Sequence, residues 1–106
     1  MVFYSKEALA DLNNLLIGLV YWSKHYISLE HAQRYYDDIR QVCDNLPNQT
    51  YHFDAKYKLH KKYGKKVYSY RRSSATTWYI IYNIDENNDV YIEKILNNYL
   101  TNSEMG

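Results

Sequence analysis

One cysteine, one proline and three glycines in 106 residues give this chain few of the usual devices for stapling or breaking a backbone. Cys43 alone cannot close an internal disulfide, which excludes a cystine scaffold. The histidines at positions 25, 31, 52 and 60 show no HxxxH or CxxC spacing, so no zinc site and no other metal or cofactor is expected. Long apolar runs are also missing: the longest, residues 15–22, is interrupted by Gly18 and is far too short to span a bilayer. The opening MVFYSKEAL has neither a basic start nor an extended apolar core, so no targeting segment is read there. The expectation is a soluble cytoplasmic protein with no membrane partner. At 46% hydrophobic and 24% charged residues, the composition suits one compact domain over residues 1–106.

Acidic residues are absent from one stretch in particular. Residues 56–72 carry Lys56, Lys58, Lys61, Lys62, Lys65, Lys66, Arg71 and Arg72 with no Asp or Glu among them. The chain has 13 Lys and Arg against 12 acidic residues, so with eight cations in that stretch the remainder has a net of −7. A near-neutral protein that separates its charge in this way can present a local surface to a polyanion. Tyr57, Tyr63, Tyr68 and Tyr70 lie between the cations, and aromatic rings among cations suit stacking on bases. The plainer alternative is a solvated strand edge whose lysines discourage edge pairing.

What is present fixes an element order. Val2, Phe3 and Tyr4 form a short β-prone opening, and Ser5 caps a helix over 6–24 whose Ala8, Leu12, Leu15, Leu16, Leu19 and Trp22 recur at helical spacing. Ile17, Val20 and Tyr21 widen its apolar face; burial beneath its own sheet is expected, and cover by a partner or a second copy is the alternative. Ser28 caps a second helix with Ala32, Tyr35, Tyr36, Ile39, Val42, Cys43 and Leu46 on one face, closed by Pro47. Cys43 belongs to that apolar stripe and is expected in the core. Residues 48–64 show no period and end at Gly64. Three β-like runs follow, over 66–72, 77–84 and 90–96, joined by the polar turns SSAT and DENND. In the middle run Trp78, Ile80, Tyr82 and Ile84 share one face, and Thr77, Tyr79, Ile81 and Asn83 the other. The predicted fold class is therefore α+β in the order β-α-α-β-β-β, with an antiparallel helical hairpin on one face of the sheet, an antiparallel three-stranded meander, and the opposite face partly open.

That order, with VFYSKEALADL at the start, the tyrosine-rich second helix ending in NLP, and YSYRRSSATTWYIIYNIDENNDVYIEKI near the end, resembles the RelE/ParE superfamily of bacterial toxins. The family's Y-x-x-R, short turn, aromatic-apolar strand ending in Tyr, and V-x-I-x-x-I strand correspond to Tyr68 through Arg71, residues 73–77, residues 78–82, and Val90, Ile92 and Ile95. The resemblance implies a toxin of a type II toxin–antitoxin pair, neutralised by a cognate antitoxin whose flexible segment wraps it. It implies as target either the ribosome and its messenger RNA, which one branch cleaves, or DNA gyrase, which another inhibits. A homodimer is a further possible partnership. The ribonuclease branch usually has an arginine inside the third strand, where Trp78 and Tyr79 stand, and Arg or His at the end of the last strand, where Asn97 and Asn98 stand.

Attack of a 2′-OH on phosphate needs a base, cations around the phosphate and an acid for the leaving oxygen. Candidate catalytic groups are Arg71, Arg72, His60 and Tyr99, with Lys56, Lys58, Lys61, Lys62, Lys65 and Lys66 as a binding set for nucleic acid or another target. Strand alternation lets only one of Arg71 and Arg72 face the open side, and the family pattern favours Arg71. His60 is the one histidine in the basic stretch, with an exposed loop side chain as the alternative. Tyr99 lies near a C-terminal tyrosine of several ribonuclease members. Tyr68 and Tyr70 share a face and are expected to pack on the helices, Asp54 is the lone carboxylate of the long connection, and His25, His31 and His52 have no assigned role. The rival to the toxin reading is a non-toxic nucleic-acid-binding or protein-interaction module, or a catalytically silent family member.

Overall fold

The computed structural model describes residues 1–17, 28–72, 74 and 76–97. Strand β1 (Val2–Tyr4) leads into helix α1 (Lys6–Ile17), and Ser5 caps it: the Oγ accepts from the Ala8 amide at 3.0 Å and donates to the Glu93 carbonyl at 2.8 Å. Ala8, Leu12 and Leu15 form its buried stripe, while the expected continuation over 18–24 lies outside the described residues. Helix α2 (Leu29–Asp44) starts as the sequence predicts, with Ser28 Oγ accepting from the His31 amide at 3.2 Å and Glu30 in the first turn. It ends at Asp44, and Pro47 falls in a short 3-10 turn, Leu46–Asn48. Ile39, Cys43 and Leu46 are fully buried, so the thiol sits in the core as its stripe implies, and burial pushes its pKa up to about 12.

Strands β2 (Lys66–Arg71), β3 (Thr77–Ile84) and β4 (Val90–Asn97) form the antiparallel meander. The opening strand pairs in parallel with β4, Val2 opposite Val90, which makes the sheet mixed with order β1-β4-β3-β2. β1 reaches only as far as Ile92, and Ser5 and α1 serve the rest of that edge. The Ser5 amide donates to the Ile92 carbonyl at 2.9 Å, and the Asp11 carboxylate accepts from the Ile95 amide at 2.9 Å and from Lys94 Nζ at 3.0 Å. A carboxylate thus takes the place of a neighbouring strand, leaving the amide paired.

The pairing shifts register between Ile81 and Tyr82: Ile81 opposes Lys94, then Tyr82 opposes Ile92, leaving Glu93 as the extra residue. This bulge is why Ile92 and Ile95, three apart, both turn toward the helices, one opposite Tyr82 and one opposite Ile80. With Trp78, Ile80 and Val90 they meet Ala8, Leu12, Leu15, Ile39, Cys43 and Leu46 in one core. The indole of Trp78 donates to the Tyr35 hydroxyl at 2.7 Å, so the largest ring there leaves no polar atom unpaired.

Residues 48–64 are not structureless, contrary to the sequence expectation. The Val67 amide donates to the Phe53 carbonyl at 3.0 Å and the Ala55 amide to the Lys65 carbonyl at 2.9 Å, so residues 53–55 cover the outer edge of β2. Helix α3 (Lys58–Tyr63) then lies across the sheet face opposite α1 and α2. It is under two turns long, with Leu59, His60 and Tyr63 inward and Lys58, Lys61 and Lys62 outward, too short for its period to stand out. Gly64 lets it sit close: a Cβ there would come within 3.0 Å of Ile81 Cγ2 and of the Tyr82 carbonyl oxygen.

Candidate functional site opposite the helices

Alternation along β2 divides the candidate cations between two faces. Lys66, Tyr68 and Tyr70 share the face that meets α2, with Tyr68 and Tyr70 packed on the core as expected, whereas Val67, Ser69 and Arg71 turn to the α3 side. Arg71 is exposed there, at the end of the strand. Arg72 goes the other way. Its Nη1 donates to Asp38 Oδ2 at 2.6 Å and to the Tyr70 hydroxyl at 3.3 Å, and its guanidinium stacks 3.9 Å over the Tyr35 ring. That contact set ties the end of β2 to α2.

The six lysines are not equivalent either. Lys66 is half-buried and paired with Asp54 at 2.5 Å, an ion pair that holds the Asp54 carboxyl below its usual range. Lys56, Lys58, Lys61, Lys62 and Lys65 are exposed, and Lys58, Lys61 and Lys62 follow the i, i+3, i+4 spacing of one face of α3. Lys62 and Lys94 each stand 5.4 Å from the Tyr63 ring centroid. This outer surface of α3 is where the positive charge of the chain collects.

His60 is neither an exposed loop residue nor accessible to solvent: it is 1% exposed, on α3, against the sheet. Tyr57 stands edge-on to it at 5.4 Å and Tyr79 lies beneath it at 5.0 Å. Neither ring nitrogen has a hydrogen-bond partner, and burial lowers its pKa from the ordinary histidine value, so it is neutral at neutral pH. Beside it opens a groove of about 500 Å³ whose floor is Val67, Ser69 and Tyr79 and whose walls are α3 and residues 53–57. Phe53 and Tyr57, at 60% and 51% exposed, form its lip, and Tyr51 packs edge-on against Phe53 at 4.7 Å.

His52, given no role by the sequence, is placed against Tyr82: Nδ1 and the phenol oxygen are 2.6 Å apart. Burial, with a contribution from Tyr68, pushes the Tyr82 hydroxyl up to about 12, so the phenol keeps its proton, and the contact fastens the connection to the core. Thirty residues separate the two, and no local pattern announces the pair. Tyr99 and Asn98 lie outside the described residues, as do His25, Val20 and Tyr21. Among the described residues no three His, Cys, Asp or Glu gather as metal ligands, and no helix is long and apolar enough to cross a membrane.

The site thus combines a cationic helix surface, a ring-lined groove and one arginine on the same side of the sheet, while His60 and Arg72 sit on opposite sides. A family model for the ParE toxin of type II toxin-antitoxin systems, parDE, matches residues 2–98. Neither the curated proteins nor the solved structures give a match. With nearly the whole length matched and the elements in the order that the resemblance implied, the chain belongs to the ParE toxin family of type II toxin–antitoxin systems.

Proposed function

We propose that this toxin acts by binding rather than by cutting RNA, that its target is DNA gyrase, and that a cognate antitoxin neutralises it. The observation that carries this reading is the separation of two of the candidate catalytic groups, Arg72 and His60. A phosphate held by Arg72 would lie on the α2 side, where Asp38 already occupies the guanidinium, while the imidazole of His60 is enclosed on the α3 side. Acid, base and cation must meet around one phosphorus within hydrogen-bond reach, and these groups do not. The positions where the ribonuclease branch has its strand arginine hold Trp78, bonded to Tyr35 in the core, and Tyr79, under His60. What remains on the α3 side, Arg71 with the exposed lysines, suits attachment to an acidic protein or nucleic-acid surface.

The experiment is induction of the chain alone in a bacterial culture, following growth, transcript integrity and plasmid supercoiling together, with purified gyrase assayed in parallel. Growth arrest with intact transcripts and lost supercoiling is expected, relieved by co-expression of the antitoxin from the neighbouring gene. Cut transcripts that Arg71→Ala restores would overturn the binding reading in favour of a ribonuclease.

A further inference from the structure

Of the residues lining the groove beside α3, four whose side chains lie on that side of the sheet carry aromatic rings, Phe53, Tyr57, His60 and Tyr79, and one, Val67, is aliphatic. An aliphatic peptide anchor is best met by branched aliphatic walls; flat rings on several sides select a flat ligand. The volume, about 500 Å³, falls within the range of small-ligand sites. Two polar features stand among the rings. Ser69 adds a hydroxyl on the floor, and the His60 imidazole keeps one donor and one acceptor that no group of the protein uses, although it is 1% exposed. A buried polar group left without a partner is uncommon and calls for a reason. Charge supplies the third element: Lys56 lines the groove, Lys58 and Lys61 lie along the adjoining helix, and the one carboxylate nearby, Asp54, is already paired with Lys66.

We propose that this groove binds a single nucleobase bearing a phosphate, either as a free nucleotide or as one unstacked nucleotide of a single strand. The base enters between Phe53 and the half-exposed Tyr57, lies against the Tyr79 side of the floor with its polar edge at Ser69, and engages a His60 nitrogen once that ring, shielded from solvent in the unliganded chain, turns toward the groove. The phosphate remains at the mouth with Lys56. A donor and an acceptor on a flat heterocycle complement a neutral imidazole beside a hydroxyl, which a bare anion does not. This site stands whether or not gyrase is the toxin's target.

The test uses the full chain, titrated with AMP, GMP, CMP and UMP, with inorganic phosphate, and with five-nucleotide single strands of RNA and DNA, read by calorimetry and by the His60 ring resonances. Saturable binding of at least one nucleotide or strand is expected, about tenfold or more tighter than inorganic phosphate, with the His60 resonances shifting. His60→Phe, which keeps a ring and removes both nitrogens, and Tyr57→Ala, at a half-exposed position, should each weaken binding by about tenfold. Binding by mononucleotides identifies a free-nucleotide site, and binding by strands alone identifies a strand contact; both support the proposal. Equal affinity for phosphate, no saturable binding by any nucleotide or strand, or capture of an acidic peptide in their place would overturn it. Should His60→Phe fail to fold, an unchanged affinity in Tyr57→Ala would overturn it as well.

Discussion

The two faces of the sheet are built on different terms. On the side of α1 and α2, Ile80, Ile92 and Leu12 are at most 1% exposed, and the polar side chains that enter find partners, Trp78 with Tyr35 and Arg72 with Asp38, while Arg40 keeps one buried nitrogen, Nε, without a hydrogen bond but stacks over the Tyr4 ring. On the side of α3 the cover is a six-residue helix, the imidazole beneath it has no partner, and a groove remains open. Burial of apolar area stabilises the first face; the second keeps unused hydrogen-bonding capacity and unpaired lysines near each other. The difference separates stability from recognition: residues that hold the fold point one way from β2 and β3, and those available to a partner point the other.

The largest expected effect breaks the helix-side face. Ile80→Ala removes a fully buried side chain from the centre of the middle strand and should cost about 2–5 kcal/mol, the range for truncating a packed aliphatic residue. Urea unfolding of the variant against the parent measures it. A loss under about 1 kcal/mol would mean that this side is not the close-packed layer described.

Next in size is the contrast between neighbouring arginines. Arg72→Ala loses the ion pair to Asp38 and the stacking on Tyr35, both partly exposed, and should destabilise by about 1–2 kcal/mol. Arg71→Ala, at an exposed position on the other face, should change stability by no more than about 0.5 kcal/mol and act on target binding. Thermal melts of the two variants decide it: equal losses would show that the division between faces does not extend to the strand end.

How far the two faces were legible follows the same division. Helix periodicity, the serine caps and strand alternation placed Ala8, Ile39, Cys43, Trp78 and Ile80 in the core and turned Arg71 away from Arg72, because those signals repeat every few residues. Pairing between distant parts left no such trace. Nothing local in VFY specifies a parallel partner at Val90, and Asp11 reads as one more polar helix position until the Ile95 amide, 84 residues away, is seen to need it. The α3 face was hidden for another reason. Fewer than two turns of helix rich in lysine match a charged loop as well as a helix, and His60 is buried in part through contact with Tyr79, on a strand that no local pattern links to it.

The smallest effect sharpens the α3 face through pH. Burial lowers the His60 pKa in the folded chain relative to its ordinary value near 6.5, with the rings of Tyr57 and Tyr79 around it and no hydrogen bond to favour the charged form. Between the two pKa values the unfolded chain therefore binds more protons than the folded one. Stability is fully present above the unfolded value and is lost as pH falls toward the folded value, by at most about 1.4 kcal/mol per pH unit for one proton. His60→Phe keeps a ring in the contact and removes this one titration, so the difference between parent and variant reports on His60. Unfolding free energies measured from pH 7 to pH 5 should fall more steeply for the parent than for the variant. Parallel curves would mean that the imidazole accepts a proton as readily under α3 as in water, and the contact would then be a wet one.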